Sequence, residues 1–135
     1  MKVFKDIWIL SDSGIVMFHG VFNKSVSPQA FGAMMSALNT FAEQLADGGL
    51  SNFELNNKRF TIIKKYDIKF IANSSKQFNQ KNVNRELEKI SKKFLKHYSE
   101  ELKGYKGQIG AFNQFEEIIE DSLEDIPQKT SEKLL

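Results

Sequence analysis

The order in which hydrophobic patterns follow one another constrains this chain more than any single motif. Two short runs with β character come first, then one amphipathic helical stretch, three further β-like runs and two helical stretches. Residues 3–10 (VFKDIWIL) end in the apolar block Ile7-Trp8-Ile9-Leu10, the pattern of a strand covered on both faces. Ser11-Asp12-Ser13-Gly14 supplies turn chemistry, and residues 15–22 (IVMFHGVF) return as a second β run. Together they read as a hairpin of two interior strands, with Gly14 taking a positive φ at little cost.

Ser27-Pro28 marks a helix start, because serine can accept from free amides at the cap and proline is tolerated at the first helical position. Phe31, Met34, Met35, Leu38, Phe41, Ala42 and Leu45 follow at three- and four-residue spacing, which predicts one buried face, and Gly48-Gly49 provides the stop. The remaining surface carries Gly32, Ala33, Ser36, Ala37 and Thr40, small enough to let another element approach the helix backbone.

Residues 50–55, 59–66 and 68–73 are the next β-like runs, separated by Asn56-Asn57-Lys58 and a tight connection at Asp67. Such short connections predict antiparallel hairpins, and the mixed 50–55 segment suits an edge. Val83, Leu87, Ile90, Phe94, Tyr98 and Leu102 then form an apolar stripe, opposite Lys89, Lys92, Lys93 and Lys96. Gly104 and Gly107 separate this surface helix from a final helix expected over 108–125, which would bury some of Ile109, Phe112, Phe115, Ile119 and Leu123. One domain over 1–126 and a flexible tail over 127–135 complete the reading.

Composition narrows the chemistry. With no cysteine there are no disulfides or thiolates, and no apolar stretch reaches the roughly 18 to 20 residues that span a bilayer. The N-terminus lacks a signal-peptide pattern, so a cytoplasmic protein is expected. His19 and His97 lie on different elements with no metal-ligand spacing, and the glycine pairs do not fit a phosphate loop. The acids Glu116, Glu117, Glu120, Asp121, Glu124 and Asp125 lack a calcium-loop pattern and read as a solvated face. No catalytic residue, cofactor or metal site is assigned, and a non-enzyme is expected.

Charge is uneven although the net value is only +2. Residues 56–106 hold fourteen Lys and Arg against five acids, whereas 107–126 hold six acids and no basic residue. The candidate anionic-surface contacts are Lys81, Arg85, Lys89, Lys92, Lys93 and Lys96. The interleaved aromatics fall in the core stripe, and the chain has seventeen Lys to two Arg, a balance that weighs against specific nucleic-acid reading.

Hairpin, helix, three antiparallel strands and two helices, in that order, resembles the longin domain: an α+β, profilin-like sandwich with a five-stranded antiparallel sheet (β-β-α-β-β-β-α-α) between helices. Ile7-Trp8-Ile9-Leu10-Ser11-Asp12-Ser13-Gly14 is similar to the longin first strand and turn, and residues 25–47 to its first helix. Arg59-Phe60-Thr61-Ile62-Ile63-Lys64-Lys65-Tyr66, followed by Ile68-Lys69-Phe70-Ile71-Ala72, resembles the meander. The related roadblock domain usually opens with a helix, whereas this chain opens with a strand.

The resemblance implies a non-enzymatic platform for small GTPases or vesicle-traffic partners, pairing with a second copy or a related domain through edge strands and first helices. Its implied interface here is Gly32, Ala33, Ser36, Ala37, Thr40, Phe53 and Leu55. Longin SNAREs continue into a heptad-bearing helix and an anchor, so a SNARE of that design is not expected of these 135 residues. Lys- and Asn-rich composition would suit an archaeal member. The alternative is a basic adaptor that docks on anionic membrane or RNA through residues 80–106, peripheral to the membrane in the first case.

Overall fold

A computed structural model describes residues 3–20, 27–107 and 110–122. Five strands form one antiparallel sheet: β1 (Phe4–Ser11), β2 (Val16–Gly20), β3 (Asn52–Glu54), β4 (Lys58–Lys65) and β5 (Ile68–Ser75). Their spatial order is β2-β1-β5-β4-β3, so β1 and β5 occupy the interior with β4 beside them. The expected α+β sandwich is present, with helix α1 (Pro28–Leu45) on one face and α2 (Gln80–His97) on the other.

Strand alternation explains how the sheet serves both layers. Ile7 and Ile9 of β1, with Ile68, Phe70 and Ala72 of β5, join Val83, Leu87, Ile90 and Phe94 of α2 in the larger core. Trp8, Leu10, Ile71, Phe60 and Ile62 point the other way and receive Phe31 and Met35 of α1. The turn between β4 and β5 places both Tyr66 (φ 51°) and Asp67 (φ 63°) in the left-handed region, the geometry that lets a two-residue hairpin follow the sheet's twist.

The helix starts follow from their caps. Ser27 Oγ accepts from Ala30 N at 3.3 Å before α1, and Asn79 Oδ1 accepts from Lys81 N at 2.8 Å before α2. Tyr98 interrupts the helix expected along the Val83-to-Leu102 stripe, leaving a short α3 (Ser99–Lys103).

Two expectations need correction. β2 is an edge strand, not an interior one, because among the described residues it pairs only with β1. Its apolar residues are covered instead by the chain's later turns: Phe18 meets Phe115 edge to face, with ring centroids 5.4 Å apart. The single helix expected over 108–125 is also absent among the described residues. Gly107 (φ 92°) and Gly110 (φ 79°) introduce turns, followed only by α4 (Phe115–Ile118) and a 3₁₀ turn at Glu120–Ser122. Phe112, Phe115 and Ile119 are buried nonetheless, since successive turns deliver the same spacing as a helix. Residues 21–22, 108–109 and 123–135, to which parts of the second strand, the last helix and the tail were assigned, lie outside the described residues.

Candidate protein-interaction surface

The face of α1 that meets the sheet is not the one its hydrophobic spacing predicts. Phe31, Gly32, Met35 and Asn39 are buried, while Met34, Leu38, Phe41 and Leu45 remain 51%, 38%, 60% and 75% exposed. Two residues set this rotation. A Cβ at Gly32 would stand 2.5 Å from the Gly14 carbonyl oxygen and 3.1 Å from Val16 Cγ2, so the helix lies against the first hairpin where only glycine fits.

Asn39 fixes the other end of the helix. Its Oδ1 accepts from Leu50 N at 3.1 Å and from Lys64 Nζ at 2.7 Å, while its Nδ2 donates to Glu43 at 3.1 Å. Lys64 also donates to the Gly48 carbonyl oxygen, and burial lowers the pKa of its ammonium. This polar cluster ties α1 to the entry of β3 and the end of β4. The aromatic anchor is Phe31, stacked on Trp8 with centroids 3.9 Å apart and rings 17° from parallel.

Turning Gly32 and Asn39 inward turns Met34, Leu38, Phe41 and Leu45 outward. At i, i+4, i+7 and i+11 they form a seam along the helix, the spacing by which one helix receives another. Beside it on the same face of the sheet, half-buried Phe53 of β3 stacks on Phe60, with centroids 4.6 Å apart and planes 4° from parallel. Among the described residues β3 closes the sheet and pairs only with β4, and Leu55 just beyond it is 54% exposed. A contiguous exposed apolar row next to an open strand edge is the combination that monomers usually avoid.

The residues implied by the longin resemblance are divided by this arrangement. Ala33, Ala37 and Thr40 are exposed, Ser36 is half-buried and Gly32 is inside the molecule against the first hairpin. Met34, Leu38, Phe41 and Leu45 were assigned to the core by periodicity and are the residues that sequence reasoning missed. A signal was present, because this apolar face is wider than one side of a helix needs and includes the large residues Met34 and Phe41 besides Phe31 and Met35.

The remaining polar features carry less chemistry. His19 on β2 and His97 at the end of α2 are both exposed, and the His97 ring meets Tyr98 edge to face at 4.6 Å. No group of three or more His, Cys, Asp or Glu that could hold a metal ion is found among the described residues. A groove of about 380 Å³ between the sheet and the α2–α3 junction is lined by Ser11, Met17, Tyr66, Ile68, Leu95, Leu102 and Tyr105. Its lining side chains offer hydroxyls but no acid–base pair, and burial raises the Tyr105 phenol pKa. Glu116, Glu117, Glu120 and Asp121 are exposed to solvent.

No protein-family model matches the chain, and no curated protein matches it. Solved structures do resemble it. Myxococcus xanthus MglB superposes with a TM-score of 0.58 at 11% identity, over 71% of this chain and 84% of that one. A Roadblock/LC7 domain from Streptomyces avermitilis gives 0.56 at 15% identity, over 71% and 85%. These likenesses, joined to the strand order and the helices on both faces, establish that the chain has the roadblock/longin-like α+β fold.

Proposed function

We propose that this chain is a non-enzymatic interaction module that pairs with a second copy and, in that form, serves as a platform for a small GTPase or a membrane-traffic assembly. The observation that carries the reading is the exposed seam Met34, Leu38, Phe41 and Leu45 beside the open edge of β3. Pairing two β3 edges would continue the sheet across the copies, while the seams would cover each other on the α1 face. A second copy is the natural occupant because the surface is self-complementary in kind, with an apolar row for an apolar row and a strand edge for a strand edge.

The GTPase half of the proposal rests on the longin and roadblock resemblance of the fold. Light scattering tests both halves. The purified chain is expected at twice its 15.5 kDa mass, and Phe41→Glu is expected to halve that value. Mixing with candidate small GTPases loaded with GDP or a GTP analogue should yield a nucleotide-dependent complex. A wild-type chain that stays monomeric at high concentration and binds no such GTPase in either state would defeat the reading.

A further inference from the structure

The α2 face of the sheet carries a second surface of different chemistry. α2 buries Val83, Leu87, Ile90 and Phe94 against the sheet. At 3.6 residues per turn, Lys81, Arg85, Lys89, Lys92 and Lys96 fall within an arc of about 80° whose centre lies nearly opposite that buried set. All five are exposed, and the helical rise sets the first and last about 22 Å apart. Lys93, half-buried, sits off the arc.

The acids of this helix do not neutralise the row. Glu88 flanks the row beside Lys81 and Arg85, but its carboxylate is engaged by Lys65 Nζ of β4 at 2.6 Å. Glu86 is buried, accepts a hydrogen bond from Ser122 Oγ and reaches only Lys89 of the row, at 3.5 Å. Lys81, Arg85, Lys92 and Lys96 therefore have no ion pair among the described residues. Among the described residues, four neighbouring cations are thus without a neutralising partner on the side of the helix away from the core.

We propose that this pole of α2 docks on an anionic lipid surface. Attraction to anionic headgroups needs only a row of like charge held within a Debye length of the bilayer, and lysine ammonium groups on a flat helical pole supply it. Nucleic acid is the poorer fit. The helix's aromatic ring, Phe94, and Tyr98 just after it are buried, so no ring on the pole can stack on a base, and Arg85 is its sole guanidinium.

The proposed pairing sharpens the consequence, and this step alone rests on it. Identical edge strands that pair antiparallel are related by a two-fold axis perpendicular to the sheet, which keeps each face on its own side. Both α2 helices would then point toward one plane and present two basic rows, while both α1 helices stay on the opposite side. Two weak contacts on one rigid body bind a surface far better than one.

Co-sedimentation of the full chain with vesicles tests the proposal, using phosphatidylcholine alone and phosphatidylcholine mixed with phosphatidylserine at about two to one. Binding is expected only to the mixed vesicles, to be lost in about 0.5 M salt, and to fall at least about tenfold in Lys92→Glu/Lys96→Glu. Circular dichroism checks that this variant is folded, and Lys92→Gln/Lys96→Gln serves as a milder form with a smaller loss. Equal binding to both vesicles, full binding by the charge-reversed variant, or displacement from mixed vesicles by an RNA oligonucleotide at low occupancy would overturn it. Light scattering on the same samples separates the two readings. A monomer that sediments with mixed vesicles keeps the basic row and defeats the pairing, whereas a dimer that ignores them keeps the pairing and defeats the row.

Discussion

The two faces of the sheet are covered by helices of equal length, 18 residues each, that spend their apolar residues differently. α2 places Val83, Leu87, Ile90 and Phe94 in the core and turns a basic pole to water. α1 buries Phe31 and Met35 but leaves Met34, Leu38, Phe41 and Leu45 exposed. A helix whose apolar content matches its buried face is finished within one chain. A helix with more apolar surface than its sheet covers leaves the rest open to another partner, and that contrast is why the proposed interaction surface is placed on the α1 side.

The sharpest way to break the comparison is to delete a large side chain from each helix. Phe94 is fully buried and its ring contacts Phe70, Tyr98, Phe112 and Phe115, so Phe94→Ala should cost about 3–5 kcal/mol in denaturant unfolding. Phe41→Ala, with the ring 60% exposed, should change the stability of the monomer by no more than about 0.5 kcal/mol. Equal losses at both positions, measured at high dilution, would mean that α1 is as complete as α2.

A second substitution addresses why α1 is rotated. Gly32→Ala gains helix propensity of about 1 kcal/mol, yet its Cβ would lie 2.5 Å from a backbone oxygen that cannot step aside like a flexible side chain. A net loss of about 1–3 kcal/mol is expected, the scale of overpacking. The reverse change at exposed Ala33, Ala33→Gly, should cost only the propensity difference, so thermal unfolding of the pair separates close packing from backbone entropy.

These two tests also mark what could be read in the sequence. The block Ile7-Trp8-Ile9-Leu10 and the stripe Val83 to Phe94 were legible because each is a local pattern with one physical solution. The rotation of α1 was not, since it depends on Gly14 and Leu50, residues brought to the helix by the fold. Spacing placed Met34 and Phe41 with Phe31 correctly on one apolar side, but could not tell which part of that side the sheet would take. The last helix failed for a related reason: Phe112, Phe115 and Ile119 have helical spacing, and a series of turns buries them equally well. The basic row was visible from Lys81 to Lys96, whereas the engagement of Glu86 by Ser122 and of Glu88 by Lys65 was not.

Association should respond where monomer stability does not. Phe41→Glu places a charge within the seam and Leu45→Glu one at its C-terminal end, and each is expected to weaken self-association by at least about 2 kcal/mol, the scale of an interface anchor. Any accompanying loss of thermal stability should disappear on dilution, because it arises from mass action and not from the core. Sedimentation velocity over a concentration series reads this directly, and a stability loss independent of concentration would assign these residues to folding instead.

The smallest expected effect concerns the fastening of the α2 side to the two ends of the described chain. Val3 N donates to the Ser122 carbonyl at 3.1 Å, and the Ser122 hydroxyl donates to buried Glu86. Burial pushes the Glu86 carboxyl pKa up, but the Ser122 hydrogen bond and the nearby Lys89 ammonium outweigh it and hold the pKa below the usual value of 4.5. A group with a depressed folded-state pKa contributes stability above its unfolded value and loses it as pH falls through the folded one. Wild type should therefore lose an increment below about pH 4.5 that Glu86→Gln does not, no larger than about 1 kcal/mol, the net scale of one hydrogen bond. Denaturant unfolding from pH 7 to pH 3 gives the comparison. Parallel curves for the two proteins would show that the carboxylate's charge does not fasten this face, leaving the aromatic core of α2 to hold it alone.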